Sequence, residues 1–101
     1  MIPDSVYNEA IEVARRRLTI PEKIKIGEAV RSTGELGKIG VTVEVFREWD
    51  DKTRTTEVFP LLKDELFLAQ KDDESRQAYV QEQLQQAVFS VHNEWIAKGR
   101  K

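Results

Sequence analysis

Residues 38–48, Lys38-Ile39-Gly40-Val41-Thr42-Val43-Glu44-Val45-Phe46-Arg47-Glu48, decide the fold. Ile39, Val41, Val43 and Val45 alternate with Gly40, Thr42 and Glu44. A period of two in β-branched residues predicts a strand with one buried face. Asp50-Asp51-Lys52-Thr53 supplies turn residues, and Thr55 to Phe59 returns to strand-like composition. A β-hairpin follows, with Val41, Val43, Val45 and Val58 inward. Two strands alone are marginal in water, so helices must cover that face.

The flanking sequence supplies them. Tyr7, Ala10, Ile11, Ala14 and Leu18 recur at three-and-four spacing, widened by Val6 and Val13, which predicts an amphipathic helix over roughly residues 4–18. Pro3 suits its first turn and Asp4 or Ser5 its cap. Thr19-Ile20-Pro21-Glu22 has the form of a capping box and Gly34 that of a stop, which predicts a second helix to about Thr33. Lys23-Ile24-Lys25-Ile26 alternates, so the rival is a three-stranded sheet in which residues 23–32 add a strand. Pro60 ends the hairpin and opens a short helix, with Leu62, Leu66 and Ala69 inward and Leu61 and Phe67 flanking.

Glu74 to Lys98 reads as one long helix, capped by Asp72 or Asp73 and stopped by Gly99. Val80, Leu84, Ala87, Val88, Val91 and Trp95 fall within one arc of about 100° and form its core face. Ala78, Phe89 and Ile96 fall nearly opposite, with Gln85 and His92 beside them. Between Tyr79 and Trp95 the charged residues are Glu82 and Glu94, so this second face is both weakly charged and partly apolar. A compact domain of this size has a radius of gyration of about 13 Å, so a helix this long must span it or overhang it. The whole reads as a single small α+β domain over residues 1–101. Its order is helix, helix, β-hairpin, short helix, long helix, packed in two layers.

Apolar residues make up 40% of the 101 and charged residues 34%, the balance of a globular chain with one core. No apolar run reaches the length of a membrane span, and the first residues lack the layout of a signal peptide, so the expected location is cytoplasmic. There is no cysteine, hence no disulfide or thiolate chemistry. A net charge of −2 gives no overall attraction to phosphate backbones.

Ser32 to Trp49 resembles the helix-turn-helix of small transcription regulators, a short helix and Gly-containing turn preceding a recognition helix. The resemblance implies that Thr42 caps a helix carrying Glu44, Arg47 and Trp49, with Arg47 toward DNA. Against it, Val41, Thr42, Val43, Val45 and Phe46 are poor helix formers, and Glu44 and Glu48 would repel phosphates. A hairpin could also touch nucleic acid as a wing through Arg47, Lys52 and Arg54, although Glu48, Asp50 and Asp51 share that tip. Arg15, Arg16 and Arg17 point about 100° apart on a helix and so do not line one groove.

His92 is the only histidine, with no second ligand at i+3 or i+4 to share a metal. The acidic groups lack calcium-loop spacing, and Gly34, Gly37 and Gly40 do not spell a phosphate loop. No catalytic, cofactor-binding or metal residues are therefore assigned. Two functions are expected from different classes. The first is a non-enzymatic protein–protein interaction module, an adaptor, inhibitor or assembly protein, docking a partner or a second copy through Gln85, Phe89, His92 and Ile96. The alternative is a small DNA- or RNA-binding regulator using Arg47, Lys52 and Arg54, with Arg15 and Arg16 as auxiliary contacts.

Overall fold

A computed structural model describes residues 2–99. Helix α1 (Asp4–Arg17) leads into strand β1 (Lys25–Val30), a one-turn helix α2 (Glu35–Ile39) and the long strand β2 (Gly40–Glu48). Strands β3 (Thr55–Val58) and β4 (Leu61–Lys63) follow, then α3 (Asp64–Leu68) and α4 (Asp73–Glu94). A π-helical turn over Trp95–Gly99 continues α4. The chain is α+β: an antiparallel sheet forms one layer, and α1 and α4 pack side by side on one of its faces.

β2 is the spine of the sheet. Val45 pairs with Val58 and Gly40 with Lys63, so β3 and β4 share one register along the same side of β2. They are two halves of one hairpin arm, interrupted at Phe59-Pro60. Pro60 has no N–H to donate, but its carbonyl accepts from Val43 N at 3.2 Å, so the ladder carries on past the break. The alternation along β2 then decides burial. Val41, Val43 and Val45 are fully buried against the helices, and Arg47 and Trp49 follow them inward. Tyr7, Ile11 and Ala14 of α1, Leu62, Phe67, and Val80, Leu84, Val88 and Val91 of α4 complete one continuous core.

The second helix expected over residues 20–33 does not form there; Lys25–Val30 is a strand on the other side of β2, as the rival reading had it. Thr19–Glu22 opens a turn instead of a helix. Ile24 N bonds Pro21 O at 3.2 Å, and Lys23 adopts φ 71°, which a right-handed helix excludes. Ile26 and Ala29 are buried, and the register slips between them, an irregularity occupied by Gly27 and Glu28 opposite Glu44. Two α1 side chains satisfy this irregular edge: Arg15 donates to the carbonyls of Ile26 and Gly27, and Asn8 Oδ1 accepts from Ala29 N at 2.7 Å.

Of residues 39–49, Gly40–Glu48 form a strand and not a recognition helix, and Thr42 sits half-buried within β2 instead of capping a helix. The short helix is displaced to Asp64–Leu68, because Leu61 and Leu62 are held in the sheet by Thr42 and Val41. Its inward residue is consequently Phe67, while Leu66 and Ala69 are exposed. α1 begins after Pro3 without a side-chain cap.

The close approach of β2 and β4 explains one glycine. A Cβ on Gly40 would lie 2.0 Å from the Leu62 carbonyl oxygen, so the strands would have to part. Gly40→Ala is expected to destabilise the fold by about 2 kcal/mol, read as a lower urea midpoint at unchanged slope.

A candidate interaction face on the C-terminal helix

Asp72 caps α4, accepting from Ser75 N at 2.8 Å, and that bond holds its carboxyl below the usual range. No glycine or proline interrupts the next 22 residues. With the five of the π turn they extend about 40 Å at roughly 1.5 Å per residue, nearly the 44 Å length of the molecule. The helix thus spans its domain from end to end.

Its inner face, Val80, Leu84, Ala87, Val88 and Val91, is buried on the sheet and α1. On the outer face Phe89 is 57% exposed and Ile96 43% exposed, with Gln85 and His92 half-buried beside them. Around them lie Gln86, Ser90 and Asn93, all exposed and uncharged. A shallow groove bounded by Gln83, Gln86, Ala87 and Ser90 separates α4 from Val58, Phe59 and Pro60. Phe59, 55% exposed, forms its far wall. Across this groove from Gln86 and Ser90 stands a second exposed aromatic, from the break between β3 and β4, which periodicity along α4 could not reveal. The uncovered sheet face is different in kind: Lys25, Glu44 and Glu57 stand there around Phe46. A hydrogen bond with Glu57 raises the Glu44 carboxyl above its ordinary value.

The far end of α4 is anchored by aromatic residues. Trp95 lies under the Arg47 guanidinium, 3.8 Å from ring centroid to Cζ. Trp49 donates from Nε1 to Thr56 Oγ1 at 2.7 Å and carries Arg54 on its face at 3.7 Å. Gly99 fits against both tryptophans, where a Cβ would come within 3 Å of each ring. The His92 and Trp95 rings lie 6.0 Å apart. These contacts fix the direction in which the last turns of α4 present Ile96.

The residues expected to meet nucleic acid are largely engaged within the chain. Arg47 is 5% exposed; besides its stack on Trp95 it reaches Asp50 at 3.2 Å and the Glu22 carbonyl at 3.5 Å. Arg15 ties α1 to β1. Arg54 lies flat on Trp49, and Arg16 remains exposed on α1. Lys52 lines a cleft at the hairpin end with Lys23 and Lys25, but Glu48 and Asp50 line it too, and Lys23 pairs with Asp50 at 3.2 Å.

One polar cluster escaped the sequence reading. Arg31 makes paired bonds to Asp64 at 3.1 and 3.2 Å and reaches the carbonyls of Ile2 and Gly37 at 2.6 and 3.0 Å. Tyr7 OH donates to Asp64 at 2.6 Å, and burial together with that carboxylate pushes the phenol well above its ordinary pKa. Each polar group in the cluster is matched by another, so it staples the N-terminus, β1, α2 and α3 together. Among known protein families, characterised proteins and solved structures, nothing matches this chain.

Proposed function

We propose that this protein is a non-enzymatic interaction module, an adaptor, inhibitor or assembly protein that docks a protein partner on the outer face of α4. The reading rests above all on one observation. Phe89 and Ile96 lie two turns apart and open to solvent on a helix whose opposite face is fully buried. A helix that has already filled its core has no folding reason to carry a second apolar stripe. Gln85 and His92, half-buried, supply polar contacts within it. The weakly charged surround, with Glu82 and Glu94 as its carboxylates, lowers the desolvation cost that a denser set of charged side chains would impose on docking.

A photo-crosslinking residue at Asn93, beside the stripe, tests this in the native host. Covalent adducts are expected at Asn93, absent from the same probe at Thr42 on the sheet and lost when Phe89→Glu is added. Equal labelling at both positions, or none at either, would exclude this face as the docking surface.

A further inference from the structure

The two edges of the sheet differ in what meets them. On β1, Arg15 donates to the carbonyls of Ile26 and Gly27, and Asn8 Oδ1 accepts from Ala29 N, so α1 occupies that edge. The edge of β3 and β4 carries no such cover. Trp49 N donates to Arg54 O at 2.9 Å and Val43 N to Pro60 O at 3.2 Å, within the one register that also pairs Val45 with Val58. Backbone groups alternate in direction along a strand, so Arg54, Thr56, Val58 and Pro60 turn theirs toward β2. Thr55, Glu57, Phe59 and Leu61 turn theirs outward, where no described residue meets them. Lys63 closes the row, because its N–H donates to Tyr79 OH at 3.0 Å. The open stretch from Thr55 to Leu61 is about 20 Å long at roughly 3.3 Å per residue. Pro60 does not interrupt it, since the N–H that proline lacks belongs on the inner side.

We infer that this edge receives an extended segment of another protein, which adds a strand beside β3 and carries a lysine or arginine over Glu57. The inference stands apart from the α4 face that bears Phe89 and Ile96. Its affinity comes from the outward row, which offers donors and acceptors at strand spacing. Its selectivity comes from side chains, which alternate along an added strand between the two faces of the sheet. On the helix side they meet the groove between Val58 and Pro60 and the α4 residues Gln86, Ala87 and Ser90, an uncharged slot that suits small apolar side chains. On the open side they meet Glu57, which is exposed and hydrogen-bonded to Glu44 of β2. Among the described residues neither carboxylate has an ion-pair partner. A cation laid beside them lets both stay charged, which favours a basic residue at that position of the segment. The same pair disfavours self-association, because a second copy on this edge would bring two more carboxylates onto one short stretch.

The probe is an acetylated and amidated nonapeptide, Ser-Val-Thr-Val-Lys-Val-Thr-Val-Ser, compared with the same peptide carrying glutamate at its centre. Calorimetry is expected to give the lysine peptide a Kd below about 500 μM. The glutamate peptide should bind at least about tenfold more weakly, because like charges then face each other. Glu57→Lys, a change at an exposed position, should reverse that order at an unchanged melting temperature, and Phe89→Glu should leave it as it is. Amide hydrogen exchange read by NMR locates the contact. In the free chain the amides of Thr55, Glu57 and Phe59 should exchange fast while those of Thr56 and Val58 are protected. The lysine peptide should slow the first set by at least about tenfold. No saturable binding of that peptide up to about 2 mM would overturn the inference. So would equal binding of the two peptides, or binding that leaves the exchange of Glu57 and Phe59 unchanged. Slow exchange of those amides in the free chain would mean that the chain or a second copy already covers the edge, and overturns it as well.

Discussion

Replacing Asp64 with alanine is expected to cost about 3–5 kcal/mol of folding stability. The Asp64 and Arg31 side chains retain only 15% and 12% exposure, and Arg31 grips both carboxylate oxygens. Removing the carboxylate leaves the largely buried Arg31 guanidinium with only the more exposed Asp4, 3.6 Å away, as its counter-charge among the described residues, and deprives Tyr7 OH of its acceptor at 2.6 Å. Urea denaturation at neutral pH measures the loss; a deficit under about 1 kcal/mol would mean that water reaches Arg31 freely. The same site sets an acid limit. Burial alone would raise the Asp64 pKa, but hydrogen bonds from Arg31 and Tyr7 outweigh it and hold the carboxyl below its ordinary value of 3.8. A depressed native pKa means that the unfolded chain binds the extra proton. The stabilisation is therefore complete above the unfolded value, and is lost as pH falls below about 4 and through the native one. Thermal melts of Asp64→Asn should show a flatter decline over that interval than wild type.

Arg47→Ala is expected to cost about 3 kcal/mol, and Arg47→Met only about 1. The difference distinguishes packing from charge. Alanine removes the stem that fills the space behind β2 and uncovers the Trp95 ring, stacked at 3.8 Å. Methionine keeps most of that volume and a soft contact with the ring. Neither change strands Asp50, which is half-exposed and still paired with Lys23. Removal of Arg47 Nε also eliminates a buried donor that finds no acceptor among the described residues. Chemical denaturation gives the two values, and tryptophan emission should shift to the red in the alanine variant as Trp95 meets water. Equal losses in both variants would make the charge, not the packing, the stabilising feature.

How much of this was legible follows from how local each signal was. The helices over residues 4–17 and 73–94 repeat their apolar positions within themselves, and β2 does the same with a period of two. The inward direction of Arg47 was implicit in that alternation, since it follows Val41, Val43 and Val45 by twos. Its charge suggested a phosphate contact; its position put it under Trp95. β1 was ambiguous because its stabilising partners are remote. Its irregular edge is completed by Asn8 and Arg15, and its inner residues by pairing with β2. The capping-box letters at Thr19–Glu22 were locally sound, but one α-helical option could not compete with a strand that satisfies the free side of β2.

The same distinction holds for the candidate site. The chain alone determined that α4 has two apolar faces, because helical periodicity is a property of spacing. Tertiary structure decided that only one of them is used. Both long helices share a single layer on a single sheet, and among the described residues Phe89 and Ile96 stay exposed. It also set Phe59 across a groove from Gln86 and Ser90 and joined Arg31 to Asp64, residues separated by tens of positions. Spacing along a chain encodes which residues point the same way; what they meet depends on elements whose placement is settled only when the core closes.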